Sequence, residues 1–268
     1  MGCWTREQTG PIAILKLTRP PINALDQDAL DELTCQLCEI DTEPSRVLVV
    51  TGGLDGLFCT GGDLKFWRAV SDARAVSQAG RDVFVRLAQM GIPTIAAING
   101  HAIGDGLALA LACDIRIASD RATFRLPETA YGFIPGWGTV RELVALIGRA
   151  RSADLLLTGR PLDAKGALAF GLISDVVPAE SLLKVVLERS RAISEFSGSA
   201  LAAMKCALRG GDERACFESV WGSADWQEGV SALLAKRTPR FGQQGGEARD
   251  LAGRIKTNGA AERGNRCC

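Results

Sequence analysis

The sequence holds a single histidine, His101, and no G-x-S-x-G turn. A Ser-His-Asp hydrolase would rest on that one ring and lack a nucleophile elbow, so serine-triad acyl transfer is set aside. His101 itself reads as a turn residue. Charge of one sign is not in excess either: 31 Lys+Arg balance 31 Asp+Glu. No global field therefore recruits nucleic acid or an anionic membrane, and neither is expected as a partner. No apolar run reaches the length of a membrane span. The opening MGCWTREQTG has no apolar signal core and no Arg/Ser-rich transit pattern, and Arg6 breaks the myristoylation pattern that Gly2 would start. The cytoplasm is the expected location. Cysteines are numerous, 9 in all, yet only Cys35-x-x-Cys38 has paired spacing, and no second pair stands at zinc-site distance. No metal is expected. That pair lies in the helical pattern DQDALDELTCQLCEI, where i and i+3 share a face, and is expected to be buried and inert. Cys267 and Cys268 form no C-a-a-X box.

What is present is an ordinary globular core, 47% hydrophobic and 23% charged, fitting one large α/β domain with appendages. IAILKL (Ile12 to Leu17) reads as a strand, broken by Pro20 and Pro21. Asp26 is a plausible cap for a helix bearing Leu30, Leu33 and Leu37. RVLVVTGG, TIAAING, DIRIASD and GLISDVV repeat the theme of a short strand ending in a small-residue turn, with helical segments between. Near residue 180 the pattern becomes wholly helical. Beyond Phe241 the apolar content fades, and residues 242–268 are expected to be an unstructured tail.

Two glycine-rich segments share a design. FCTGGDLK places Gly61 and Gly62 between a short strand and a helical run, and NGHAIGDGLALALACD does the same with Gly104 and Gly106. Glycine permits positive φ and close backbone approach, and a helix start leaves N–H groups without partners. Two such corners could aim two backbone donors at one oxygen, forming an oxyanion hole; structural turns would also explain each corner alone. A dinucleotide fingerprint fits poorly, since its third glycine would fall at Leu109.

From Ile12 to Phe241 the chain resembles the crotonase, or enoyl-CoA hydratase/isomerase, superfamily. The resemblance is carried by LTRPPINAL, VLVVTGGLDGLFCTGGDLK, PTIAAINGHAIGDGLALALACDIRIAS, ATFRLPETAYGFIPGWGT, LLLTGRPLDAKGALAFGLISDVVP and EGVSALLAKRTPRF, in the family's order and spacing. It implies an α/β fold, a crotonase-like spiral of ββα turns over residues 1–195. A C-terminal helical region over 196–241 would serve assembly and cover the CoA site, and the family's usual state is a homotrimer or hexamer. It also implies an acyl-CoA thioester substrate, with coenzyme A arriving as part of that substrate and no separate cofactor. The enolate would be held by the main-chain N–H groups of Gly62 and Asp105. Substrate-binding positions carry over to Ala24, Leu64, Lys65, Gly104, Trp137, Lys236 and Arg237. Of these, Lys65, Lys236 and Arg237 would lie near the CoA phosphates, although a solvated face explains them too.

Most relatives have glycine where Asp105 stands. A carboxylate beside a forming oxyanion is unfavourable unless it points away or is neutralised. Asp105 is therefore a structural turn acid or the mark of a reshaped site. A typical hydratase of the family has two glutamates; here one position is Ala108 and the other is kept as Glu128, in the PE pair of FRLPETAYGFIPG. So apolar a stretch would raise the pKa of Glu128, as a proton shuttle requires, while a helix-start acid is the plainer reading. One carboxylate suits shifting a double bond, or decarboxylating a malonyl-type thioester, better than hydration, which would slow by on the order of 10². Trp137 replaces a small residue and implies a reshaped acyl site or ordinary packing. Ala108 and Asp105 also leave open a non-catalytic binding or assembly protein on the same scaffold.

Overall fold

The computed structural model describes residues 2–241; the tail expected at 242–268, with Cys267 and Cys268, lies outside the described residues. The chain climbs in successive turns. The first holds β1 (Trp4–Thr9), β2 (Ile12–Leu17), β3 (Ala24–Leu25) and α1 (Gln27–Thr42), whose cap Asp26 accepts from the Ala29 N–H. The second holds β4 (Val47–Gly52), β5 (Leu57–Cys59), β6 (Gly61–Gly62), α2 (Leu64–Trp67) and α3 (Ala73–Ala88). The third holds β7 (Thr94–Ile98), β8 (His101–Ile103) and α4 (Asp105–Ala112). The fourth holds β9 (Ile115–Ser119), β10 (Thr123–Arg125), a 3₁₀ turn at Glu128–Tyr131 and α5 (Thr139–Thr158). After β11 (Leu162–Asp163), α6 (Ala164–Phe170) and β12 (Asp175–Val177) come the helices α7 (Leu182–Ser194), α8 (Gly198–Leu208), α9 (Glu213–Val220) and α10 (Ala224–Leu234).

The first turn feeds two strands and each later turn one to a main sheet, ordered β1-β2-β4-β7-β9-β12, while β5, β8, β10 and β11 build a second sheet, ordered β11-β10-β8-β5, and β3 pairs with β6. That alternation is the spiral of ββα turns. From β2 onward the main sheet is parallel, so it must be covered on both faces and its strands read as unbroken apolar runs. Neighbouring residues accordingly serve different cores. Ile12, Ile14, Val47, Val49 and Ile95 pack with Leu182 and Val186 of α7. Ala13, Leu15, Leu48, Val50 and Ala96 join the larger core with Leu30 and Leu33 of α1 and with α4.

The strand expected over GLISDVV shrinks to β12, because Gly171 ends α6 in the left-handed region at φ 79° and the next residues complete that cap. Cys35 and Cys38 are half-buried rather than buried, since Leu33, Leu37 and Ile40 take the inward face of α1. Among the described residues no helix is long and apolar enough to cross a membrane.

A buried ionic knot fixes the far end of α4. Lys205 of α8 reaches Asp114 at 2.8 Å and the Ile92 carbonyl at 2.9 Å, while Asp114 also accepts from the backbone and hydroxyl of Thr94. Burial pulls the Lys205 pKa down, and the carboxylate and carbonyl partners compensate for its lost hydration. Arg209 adds a contact to the Ala112 carbonyl at 2.9 Å. The start of α4, by contrast, has no side-chain cap.

Candidate active site

The site grows from two backbone corners pressed together. Strand β6 pairs in parallel with β3, matching Ala24 to Gly61 and Leu25 to Gly62, and the Asp63 N–H closes the corner onto the Leu25 carbonyl at 2.7 Å. Asp63 then caps α2 by accepting from Lys65 and Phe66, and Arg19 bridges Asp63 and Asp26. Gly61 adopts φ +95°, and a Cβ there would stand 2.9 Å from the Ile103 carbonyl and 3.2 Å from the Asp105 nitrogen. Only glycine fits both the conformation and the space. The Gly61–Gly62 corner thus abuts the end of β8 and the first residue of α4. The second corner turns at Gly104, φ 55° and ψ −125°, and its N–H is tied to the Arg125 carbonyl of β10 at 2.9 Å.

That tie brings in the residue three positions beyond Arg125. Glu128 opens the 3₁₀ turn and is buried; a Cβ on Gly104 would lie 2.7 Å from its Oε1. Its Oε2 is buried without a hydrogen-bond partner among the described residues. Burial raises the Glu128 pKa, partly opposed by its own N–H. A helix-start acid would normally face water; this one is turned into the corner.

Asp105 gives the least anticipated geometry. Its carboxyl does not point away from the corner. Oδ2 would stand 3.3 Å from a Cβ on Gly62, and Oδ1 3.8 Å from one on Gly136, with Oδ1 buried and without a hydrogen-bond partner among the described residues. Burial first, and the Glu128 charge second, push its pKa up to about 7, against the N–H groups of Gly62 and Gly136. The carboxyl is turned into the corner, against the N–H groups of Gly62 and Gly136, rather than away from it. A stability consequence follows. An acid whose pKa is higher folded than unfolded keeps more protons in the native state, so native stability falls as pH rises from about 4 through about 7. Asp105→Asn removes that slope. The variant's Tm should therefore gain on wild type between pH 5 and pH 8, read by thermal unfolding at both; equal losses in the two proteins would contradict the burial of this carboxyl.

Aromatic rings wall the same corner. Trp67 lies 3.1 Å from a Cβ on Gly62 and donates to the Leu25 carbonyl at 2.8 Å. Trp137 stacks edge-to-face on Trp67 at 6.0 Å and on Phe84 at 5.4 Å. It donates to the Val76 carbonyl at 2.9 Å. A Cβ on Gly80 would sit 1.9 Å from its ring, so α3 is notched to receive it. Packing and site wall are one and the same here. Trp137→Phe, which leaves the Val76 carbonyl unpaired and the ring space underfilled, should cost about 2 kcal/mol in denaturant unfolding. A change below ~0.5 kcal/mol would mean the ring is not locked.

The structure thus gathers Gly62, Gly104, Asp105, Glu128 and Trp137, with Ala24 paired to the neighbouring Gly61. Sequence reading missed Gly80, Trp67 and Gly136, which carry no motif of their own. Leu64 and Lys65 are exposed on α2. Lys236 is exposed at φ 53°. Arg237 is not a free cation for a phosphate: it forks onto Glu228 at 2.6 and 2.7 Å, which holds the Glu228 pKa down to about 2. His101 is an exposed residue of β8 whose Nδ1 meets the Thr123 hydroxyl.

The chain is similar in sequence and in fold to known proteins. The family model for enoyl-CoA hydratase/isomerase matches residues 7–244. A probable enoyl-CoA hydratase of Mycobacterium bovis is 35% identical over 246 residues, covering 88% of this chain and 96% of that protein. The 2,3-dehydroadipyl-CoA hydratase of Escherichia coli is 34% identical over 241 residues, covering 86% and 94%. The crystal structure of an enoyl-CoA hydratase from Bacillus anthracis superposes with a TM-score of 0.84 at 34% identity, covering 90% of this chain and 100% of that one. The chain belongs to the enoyl-CoA hydratase/isomerase family of enzymes.

Proposed function

We propose that the protein turns over acyl-CoA thioesters through an enolate, with the N–H groups of Gly62 and Asp105 holding the thioester oxygen and Glu128 moving a proton at the neighbouring carbon. The observation that carries this reading is the placement of Glu128. Its carboxyl is buried against Gly104, with one oxygen lacking a partner, next to a helix start that no side chain caps. A raised carboxyl pKa brings its proton affinity closer to that of the working medium, where exchange with carbon is fastest. The donors act where negative charge develops, beside the buried rings of Trp67 and Trp137. The names of the relatives support a 2-enoyl thioester as substrate. Assembly as a trimer or hexamer belongs to the same proposal, supported by the exposed apolar side chains Leu208, Phe217, Leu233 and Leu234.

The test offers 2-enoyl-, 3-enoyl- and methylmalonyl-CoA to the purified protein and to Glu128→Gln. Turnover of either enoyl thioester that the variant loses supports the reading. Turnover of methylmalonyl-CoA alone moves it to decarboxylation. Thermal stabilisation by acyl-CoA without turnover of any thioester leaves a binding protein on this scaffold.

A further inference from the structure

This inference rests on the acyl-CoA reading above and concerns the second proton that such a reaction must move. Asp105 Oδ1 and Glu128 Oε2 are buried and without hydrogen-bond partners among the described residues, and their carboxyl groups lie against the glycines of the same corner. Their carboxyl groups come from different elements, the first turn of α4 and the turn after β10, and meet at Gly104, which Glu128 touches and Asp105 follows. A buried acceptor left unpaired costs about 1–3 kcal/mol, and the Glu128 charge further disfavours ionisation of Asp105. A proton held between the two carboxyls relieves both costs, and a water or a substrate atom can accept or give one there.

Helix periodicity sharpens the point. Asp105 and Ala108 are three residues apart on α4, hence on one face, and the small Ala108 side chain adds no acid there. Addition of water across a carbon–carbon double bond requires one proton to leave water and one to reach carbon. One carboxyl must do both in turn, whereas a pair divides the task.

We propose that the Asp105 carboxyl is the second proton-transfer group of this site, paired with Glu128 across Gly104, and that the pair adds water to a 2-enoyl thioester. The water oxygen bonds to C3 and the C2–C3 π electrons move onto the thioester oxygen. The proton leaving water passes to the ionised member of the pair. As the enolate collapses, the protonated member gives its proton to C2. One water is added, and the pair ends with the single proton it began with. The groups facing Asp105 are consistent with a pair that carries one proton near neutrality. Glu128 raises its pKa, while the N–H groups of Gly62 and Gly136 lower it, and among the described residues no lysine or arginine acts on it. Cys59 of β5 also faces it, but burial pushes that thiol up to about 12, so it stays neutral.

The experiment measures hydration of 2-butenoyl-CoA by wild type, Glu128→Gln, Asp105→Asn and the double variant Asp105→Gly/Ala108→Glu, across pH 5–9. Asp105→Asn keeps the shape and the main-chain N–H but cannot exchange a proton. Its kcat should fall by on the order of 10², with KM little changed and the pH limb near neutrality lost. The double variant returns a carboxyl to the same helix face one turn on, and should recover roughly tenfold or more over Asp105→Asn. Should Asp105→Asn keep wild-type kcat and pH profile while Glu128→Gln is inactive, the pair is refuted and the acyl-CoA reading survives. If Glu128→Gln also hydrates normally, that broader reading falls as well. Thermal unfolding of each variant separates lost chemistry from lost fold, and if the double variant does not fold, the Asp105→Asn comparison decides alone.

Discussion

Glu128→Gln should lower kcat on an enoyl-CoA thioester by on the order of 10³ while leaving KM within a few fold and Tm unchanged or higher. The three readouts follow from one geometry. Glutamine has the shape of glutamate, so the contact with Gly104 and the packing of the 3₁₀ turn persist. What disappears is proton exchange, and a positioned general acid or base contributes roughly 10²–10⁴. Stability does not suffer, because the lost group is a buried carboxyl whose pKa is raised by desolvation and whose Oε2 has no partner. An acid of that kind destabilises the native state increasingly as pH rises through its native pKa, and an amide does not. A kcat loss with a steady or higher Tm therefore identifies a chemical role. A loss of both together would mean that Glu128 is structural.

The spiral was readable because parallel strands buried on both faces must be continuous apolar runs, and IAILKL, RVLVVTGG, TIAAING and DIRIASD are such runs. The strands that build the site were not. β6 is two glycines and β8 is three residues inside NGHAIG; neither has periodicity, and both exist because neighbouring backbone pairs with them. Asp105 was legible as an oddity but not as a site acid. Whether a side chain at the first position of a helix turns out or in depends on what occupies the other side of the corner. Here that is Gly62, Gly136 and Glu128, all of them far off in sequence. Arg237 shows the opposite failure. It stands at a position that the resemblance assigns near the CoA phosphates, yet Glu228, nine residues earlier, claims its guanidinium.

Gly106→Ala tests the corner itself, because two effects of opposite sign compete there. In an ordinary helix the change would stabilise by about 1 kcal/mol, and no positive φ is recorded at this position to oppose it. Space opposes it instead. The added methyl would stand 2.0 Å from the Cys59 carbonyl oxygen and 2.5 Å from its carbon. Both are main-chain atoms of β5, and Cys59 is held in register against Ala102 of β8, so no side chain can rotate out of the way. The clash wins. We expect a loss of about 3 kcal/mol, a Tm lower by roughly 6–12 °C, and in the folded fraction a kcat reduced by on the order of 10², since relieving so short a contact moves α4 off the Gly61–Gly62 corner by about the 1 Å that misaligns reacting groups. Gly91→Ala is the control: it has nothing within 4 Å of the new methyl and should leave Tm and kcat as they were. If Gly106→Ala behaves like Gly91→Ala, the two corners are not pressed together, and the N–H groups of Gly62 and Asp105 lose the rigid spacing that enolate stabilisation demands.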